Sequence, residues 1–171
     1  MNLQNLLSDK GKKPKEKTET ISKWLLNDKL RVDELIGFAG TSNDPIKATC
    51  IEAIEFATKQ NPSIADESVL DFVSQTLSEK APRIKWESAK VIGNIAHLFP
   101  EDLDKAIKNL LTNTSYDGTV VRWAAAFALG EILKLKTKHN KKLLPAIETI
   151  ISKEEKNSIK KIYLIAIKKS V

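Results

Sequence analysis

The chain has 171 residues, a formal net charge of +6, 42% hydrophobic and 29% charged residues, and a single Cys. This composition excludes a mostly disordered chain, and the length corresponds to about one domain with a buried core. No run approaches the roughly 18 apolar residues of a membrane span, and Met1 to Asp9 lack a basic flank followed by a long apolar stretch. The expected compartment is the cytoplasm, with Cys50 a buried, unreactive thiol. Charge is spread unevenly: +3 over residues 1–23, −5 over 24–133 and +8 over 134–171. An anionic partner would be steered to the ends.

In chain order, residues 1–16 read as a basic N-terminal arm and 17–171 as a single domain. No segment alternates with period two; apolar residues recur at three and four, which predicts helices throughout. A first helix near 17–28 contains Ile21, Trp24 and Leu25, and another covers 31–40. Asn43 and Asp44 then cap a helix with Pro45 in its first turn, and Pro62 stops it. Residues 64–79 carry an apolar stripe of Val69, Leu70, Val73 and Leu77. Pro82 opens the next helix and Pro100 stops it. A stripe over 101–113, a turn at Tyr116–Thr119 and a further helix follow. The last pair is a stripe over 141–152 and a helix capped by Asn157–Ser158.

Two decapeptides repeat in register 37 residues apart, Ile84-Lys-Trp-Glu-Ser-Ala-Lys-Val-Ile-Gly93 and Val121-Arg-Trp-Ala-Ala-Ala-Phe-Ala-Leu-Gly130. A period of that size marks a solenoid. Extending it through the chain aligns four cations, Lys47, Lys85, Arg122 and Lys160, spaced by 38, 37 and 38 residues. Each opens the second, or B, helix of a pair; the helices near 31–40, 64–79, 101–113 and 141–152 are the A helices. Ala89, Ala125, Ala126, Ala128, Gly93 and Gly130 mark where neighbouring helices cross closely. The helix near 17–28 reads as a cap on the first pair.

Val121-Arg122-x-x-Ala125-Ala126-x-Ala128-Leu129-Gly130, and with it Ile84 to Gly93, resembles the second helix of HEAT repeats; 46–54 and 159–167 are weaker copies. The resemblance covers about 31–171. It implies an all-α, right-handed superhelix of about four helix pairs plus the capping helix, with B helices lining a concave face that commonly binds protein or nucleic acid. One branch of HEAT-like proteins excises alkylated bases with Trp and Asp on that face. Here the acids nearest the Trp pair are Glu87 and Glu131, which speaks against that activity.

The family alignment points Trp123, Ala124, Phe127 and Glu131 outward in one repeat and Trp86, Glu87, Lys90 and Asn94 in the one before. Trp86, Trp123 and Phe127, edged by Arg83 and Lys90, form a candidate hot spot for a protein or peptide; the alternative packs both indoles between the A and B helices. The four aligned cations either contact phosphates or satisfy helix ends and acids of neighbouring repeats. Lys136, Lys138, Lys141 and Lys142 are candidate phosphate contacts for a nucleic acid, although only three of the cations are Arg. The last helix reads as apolar all round at Ile162, Leu164 and Ile165, a candidate homodimer contact. There is no phosphate loop, metal-spaced His pair or nucleophile elbow. The chain therefore reads as a non-catalytic scaffold without a cofactor.

Overall fold

A computed structural model describes residues 2–171, which form α1 (Leu3–Ser8), α2 (Pro14–Leu26), α3 (Val32–Gly40), α4 (Asp44–Gln60), α5 (Glu67–Thr76), α6 (Pro82–Ile95), α7 (Asp104–Asn113), α8 (Thr119–Lys134), α9 (Asn140–Lys153) and α10 (Asn157–Ser170). Single 3₁₀ turns follow α4 at Pro62–Ile64 and α6 at Ala96–Leu98. There is no strand among the described residues. The basic arm read over 1–16 holds α1 and the start of α2, with Met1 outside the described residues.

Local chemistry sets the helix ends. The Asn43 side chain accepts the Ile46 N–H at 3.1 Å, and Pro45 sits in the first turn of α4, where no intrahelical N–H is needed. Asp66 does the same for α5 through Val69 N–H at 3.2 Å. At the start of α2, Glu16 accepts the Lys13 N–H at 2.7 Å. Asp28 closes α2 with φ 53°, turning the chain so that the Lys29 and Leu30 N–H groups both reach Trp24 O, at 2.9 and 3.2 Å. The expected Asn157–Ser158 cap is not the one used. Asn157 is already helical, Lys156 is the capping residue, and its N–H donates to the Glu154 carboxylate at 3.0 Å.

Two layers result. The B helices α4, α6, α8 and α10 pack side by side, and α2 extends their row against α4. The A helices α3, α5 and α7 form the second row, and α9 joins α8 and α10. Contact along the B row is much denser than along the A row, so the stack curves with the B helices inside. Between the rows lies one continuous core that includes Ile51, Ile54, Val73, Leu77, Ile92, Ile95, Leu110, Leu129 and Leu133. Ile21 and Leu25 of α2, with Leu6 of α1, close its N-terminal end.

Small residues set the spacing of the B row. A Cβ built on Gly93 would overlap the Phe127 ring of α8, and one on Gly130 would lie 3.3 Å from Ala166 Cβ of α10. Three of the aligned cations tie a B helix to the pair that follows. Lys47 Nζ lies 3.0 Å from Glu79, Lys85 Nζ donates to Asn113 Oδ1 at 3.2 Å, and Arg122 forks onto Glu154 at 3.0 and 3.3 Å. Lys85 and Arg122 also bind carbonyls of the loop ahead of their own helix, Leu77 O at 3.2 Å and Asp117 O at 2.8 Å. No helix among the described residues is long and apolar enough to cross a membrane.

Candidate functional site

On α8, Val120, Trp123 and Phe127 follow one another at three and four residues, so they share one face of the helix. That face is the inner surface of the B row. Trp123 is 41% exposed. Its ring stacks on Phe127 with centroids 6.1 Å apart and planes 13° from parallel. Phe127 is half-buried because its ring lies in the gap left by Gly93. The exposed indole is thereby held against a ring that is itself anchored to the next helix.

Trp86 occupies the same repeat position on α6 and is half-buried. Its Nε1–H donates to Glu87 Oε1 at 2.9 Å, which fixes the indole plane. One side of the ring lines an open, mainly apolar notch of about 430 Å³, shared with Pro82, Tyr116, Val120 and Val121. Val120, which is exposed, joins this notch to the Trp123 stripe one turn along α8. Neither indole is sealed in the core between the A and B helices.

The charged residues beside the aromatics are paired. Arg83 donates to Glu52 at 2.6 Å, and Glu52 also accepts from Thr18 at 3.1 Å. Lys90 Nζ lies 3.5 Å from Glu87 and 3.8 Å from Glu55. Glu131 pairs with Lys134 one turn on. Asn94, at the end of the same face, is spent on Glu55 O and Thr58 Oγ1, both at 3.2 Å.

Two residues expected outward point elsewhere. Ala124 and Glu87 each follow a Trp directly, and one residue is about 100° of helix rotation, enough to bring a side chain under the adjacent helix. Ala124 is fully buried and Glu87 is 4% exposed. Burial raises the Glu87 pKa above its ordinary value, the Glu52 and Glu55 charges add to this, and Lys90 opposes it. Glu87 Oε2 has no hydrogen-bond donor.

The other candidates scatter. Lys136, in the left-handed region at φ 57°, and Lys141 and Lys142, in the first turn of α9, are exposed without a shared pocket. Lys138 is engaged with Glu101 at 3.0 Å, and that hydrogen bond, with the Glu101 charge, holds its pKa up. The last helix is not apolar all round. Tyr163 is buried and Ile162 turns inward toward Gly130, leaving Leu164 and Ile165 exposed. No group of three His, Cys, Asp or Glu among the described residues is placed to hold a metal ion. Sequence reasoning missed Pro82, Tyr116 and Val120. The available signal was Val120 itself, an apolar residue one turn ahead of Trp123 on the same face.

No protein-family model matches the chain, and no curated protein matches it significantly. Solved structures do. A computationally designed armadillo repeat protein for modular peptide recognition superposes with a TM-score of 0.75 at 16% identity, covering 98% of this chain and 80% of that one. A second designed armadillo repeat protein gives 0.74 at 16% identity, over 99% and 81%. The chain has the armadillo-type solenoid fold. A more distant match, the complex of CpcE and CpcF of phycocyanin lyase from Nostoc sp. PCC7120, gives 0.54 at 17% identity, over 80% and 97%. At these identities the likeness is one of fold.

Proposed function

We propose that this solenoid is a non-catalytic scaffold that binds a protein or peptide partner on its inner B-helix surface, centred on Trp123, Phe127 and the notch beside Trp86, with Arg83 and Lys90 at its edge. One observation carries the reading: an exposed indole, stacked on a half-buried phenyl ring, sits on a surface whose charged side chains are already paired with one another. An aromatic anchor on a rigid helix loses little conformational freedom on binding, and such residues dominate interface energies. The designed armadillo repeat proteins of the same fold, made for modular peptide recognition, support a peptide partner. The two-helix period, with its cation, Ala and Gly positions, supports a HEAT-type repeat within the solenoid class. The single buried thiol of Cys50, pushed up to about 12 by burial, suits a cytoplasmic setting.

Peptides selected against the purified protein from a random library test this. Trp123→Ala and Phe127→Ala should each weaken the selected binders by 10-fold or more, roughly 1.4 kcal/mol at the least, while helical circular dichroism is kept. Binders that ignore both substitutions and Trp86→Ala would refute the site.

A further inference from the structure

We infer that the occupant of the inner-surface site is an extended peptide that runs along α8 and over the rim at Tyr116, with apolar residues on the inner surface and an arginine in a groove beyond it, an inference that rests on the peptide-binding reading of that surface.

The groove is separate from the notch beside Trp86. It is open, has a volume of about 560 Å³, and shares Tyr116 and Asp117 with the notch. The notch reaches from this turn toward Pro82 and Trp86 of α6, and the groove reaches toward Thr149 and Lys153 of α9. The turn between them is a fixed sill. Arg122 donates to its carbonyls, Tyr116 O at 3.0 Å and Asp117 O at 2.8 Å, and Lys85 Nζ lies 5.6 Å from the centroid of the Tyr116 ring. Val120 already joins the notch to Trp123, so stripe, notch and groove form one track. The B row offers no comparable path toward α4. At the repeat position of Phe127 stand Lys90 on α6 and Glu52 on α4, both committed to ion pairs.

The two ends of the track differ in chemistry. The stripe and the notch are apolar, whereas the groove presents acceptors. The hydroxyls of Thr114, Ser115 and Thr149 donate to carbonyls of their own preceding turn, Leu111 O at 2.7 Å, Thr112 O at 3.2 Å and Pro145 O at 3.1 Å, which leaves their oxygens free to accept. The Arg122 guanidinium is spent on Glu154 and on the sill. Asp117, Glu155 and Lys153 are exposed and form no ion pair among the described residues. The free charge is therefore two carboxylates against one ammonium. A guanidinium answers such a wall, because it is always charged and carries five N–H donors in a planar fork.

The path selects an extended chain. From Phe127 to Val120 the stripe covers seven residues of α8, about 10 Å, which three extended residues span at about 3.3 Å each. The groove lies against α9, outside the B row, so the track bends over the rim. A straight helix, about 10–12 Å across with its side chains, does not follow that bend.

The probe is the tightest Trp123-dependent peptide from the random-library selection, fluorescently labelled and titrated onto the full-length protein. It should contain an arginine to one side of its apolar residues. Asp117→Lys with Glu155→Lys should weaken it 10-fold or more, and changing the peptide's arginine to Glu should restore binding to that variant, which a folding defect does not do. Glu67→Lys with Asp71→Lys, the same change of charge on α5, should leave binding unchanged. A nitroxide at the arginine end should broaden the amide signals of residues 149–155 and spare those of α4. The track is overturned, with the inner-surface site intact, if a Trp123-dependent peptide has no basic residue, ignores the groove variant, fails the charge exchange or broadens α4 instead. If no selected peptide depends on Trp123, the inner-surface site falls and the track falls with it.

Discussion

Phe127 touches two properties of the molecule at once: its ring fills the gap over Gly93 and supports the exposed indole of Trp123. Gly93→Ala therefore pits a gain in helix propensity of up to about 1 kcal/mol against displacement of an aromatic ring. The ring is the movable party, and overpacking costs about 1–3 kcal/mol. The expected result is a net loss of stability, with a shift in Trp emission as the Trp123–Phe127 stack is disturbed. Gly37 offers the control, since it lies inside α3 and a Cβ there meets nothing within 4 Å. Gly37→Ala should raise the melting temperature, and equal responses at the two glycines would refute this account. Residue-level burial was the least legible part of the sequence. Trp123 and Ala124 are adjacent and equally compatible with an amphipathic pattern. Which one faces out depends on where α6 lies, and a helical wheel does not contain that information. Glu87 shows the same limit more sharply, because a carboxylate is seldom assigned to a buried position without a visible partner.

At the scale of elements, the ties between successive pairs are polar, and two buried carboxylates, Glu154 in one of those ties and Glu87 on α6, respond to pH in opposite directions. Burial works against ionisation of Glu154, but the Arg122 hydrogen bond, the Lys156 N–H and the Arg122 charge outweigh it, and its pKa falls below the ordinary 4.5. The stability it confers is present above that value and is lost as pH drops through the lowered one. Glu87 has a raised pKa, so its contribution is present below 4.5 and is lost as pH rises through the raised value. Glu154→Gln should thus destabilise the protein at neutral pH by about 1–3 kcal/mol, converging with the parent in acid. Glu87→Gln should be mildly stabilising at neutral pH and should also converge in acid. Denaturant melts between pH 3 and 7 would decide, and parallel pH profiles for the two variants would contradict the assignment. The ties were half-legible. The cation spacing announced a structural ladder, but the acceptors follow no single period, because Glu79 lies in the loop after α5, Asn113 is the last residue of α7 and Glu154 caps the end of α9.

For the whole molecule, burial is graded along the stack. α6 is covered on both flanks by α4 and α8 and buries eight residues, whereas α1 buries only Leu6 and α9 only Leu143 and Ile147. In a solenoid each unit is stabilised by its immediate neighbours, so opening should be easiest at the ends. Amide hydrogen exchange should show strongest protection in α6 and α8, falling toward α1 and α9; uniform protection would contradict this. The architecture was the most legible feature of the sequence, since the two matching decapeptides with Trp86 and Trp123 specify a stacked repeat whatever the individual contacts. The apolar notch was not, because it forms only when the loop carrying Tyr116 folds beside Pro82 and Trp86.

The placement of the cation ties has a mechanical consequence. Lys47, Lys85 and Arg122 all act at the first turn of their B helices, and successive B helices run in the same sense. The strongest links between pairs therefore lie along one rim. The opposite rim is joined by neutral bonds, such as those from Asn94 to Glu55 O and from Asn140 to Leu133 O, and by the exposed, solvent-screened Lys138–Glu101 pair. A stack fastened this way deforms like a fan held at its pivot. The tied rim keeps its spacing, while the free rim spreads or closes as the curvature changes. Trp86, only one residue beyond Lys85, sits near the pivot and keeps its geometry through such a motion, and residues toward the far ends of the B helices, Asn94 and Lys134 among them, travel furthest.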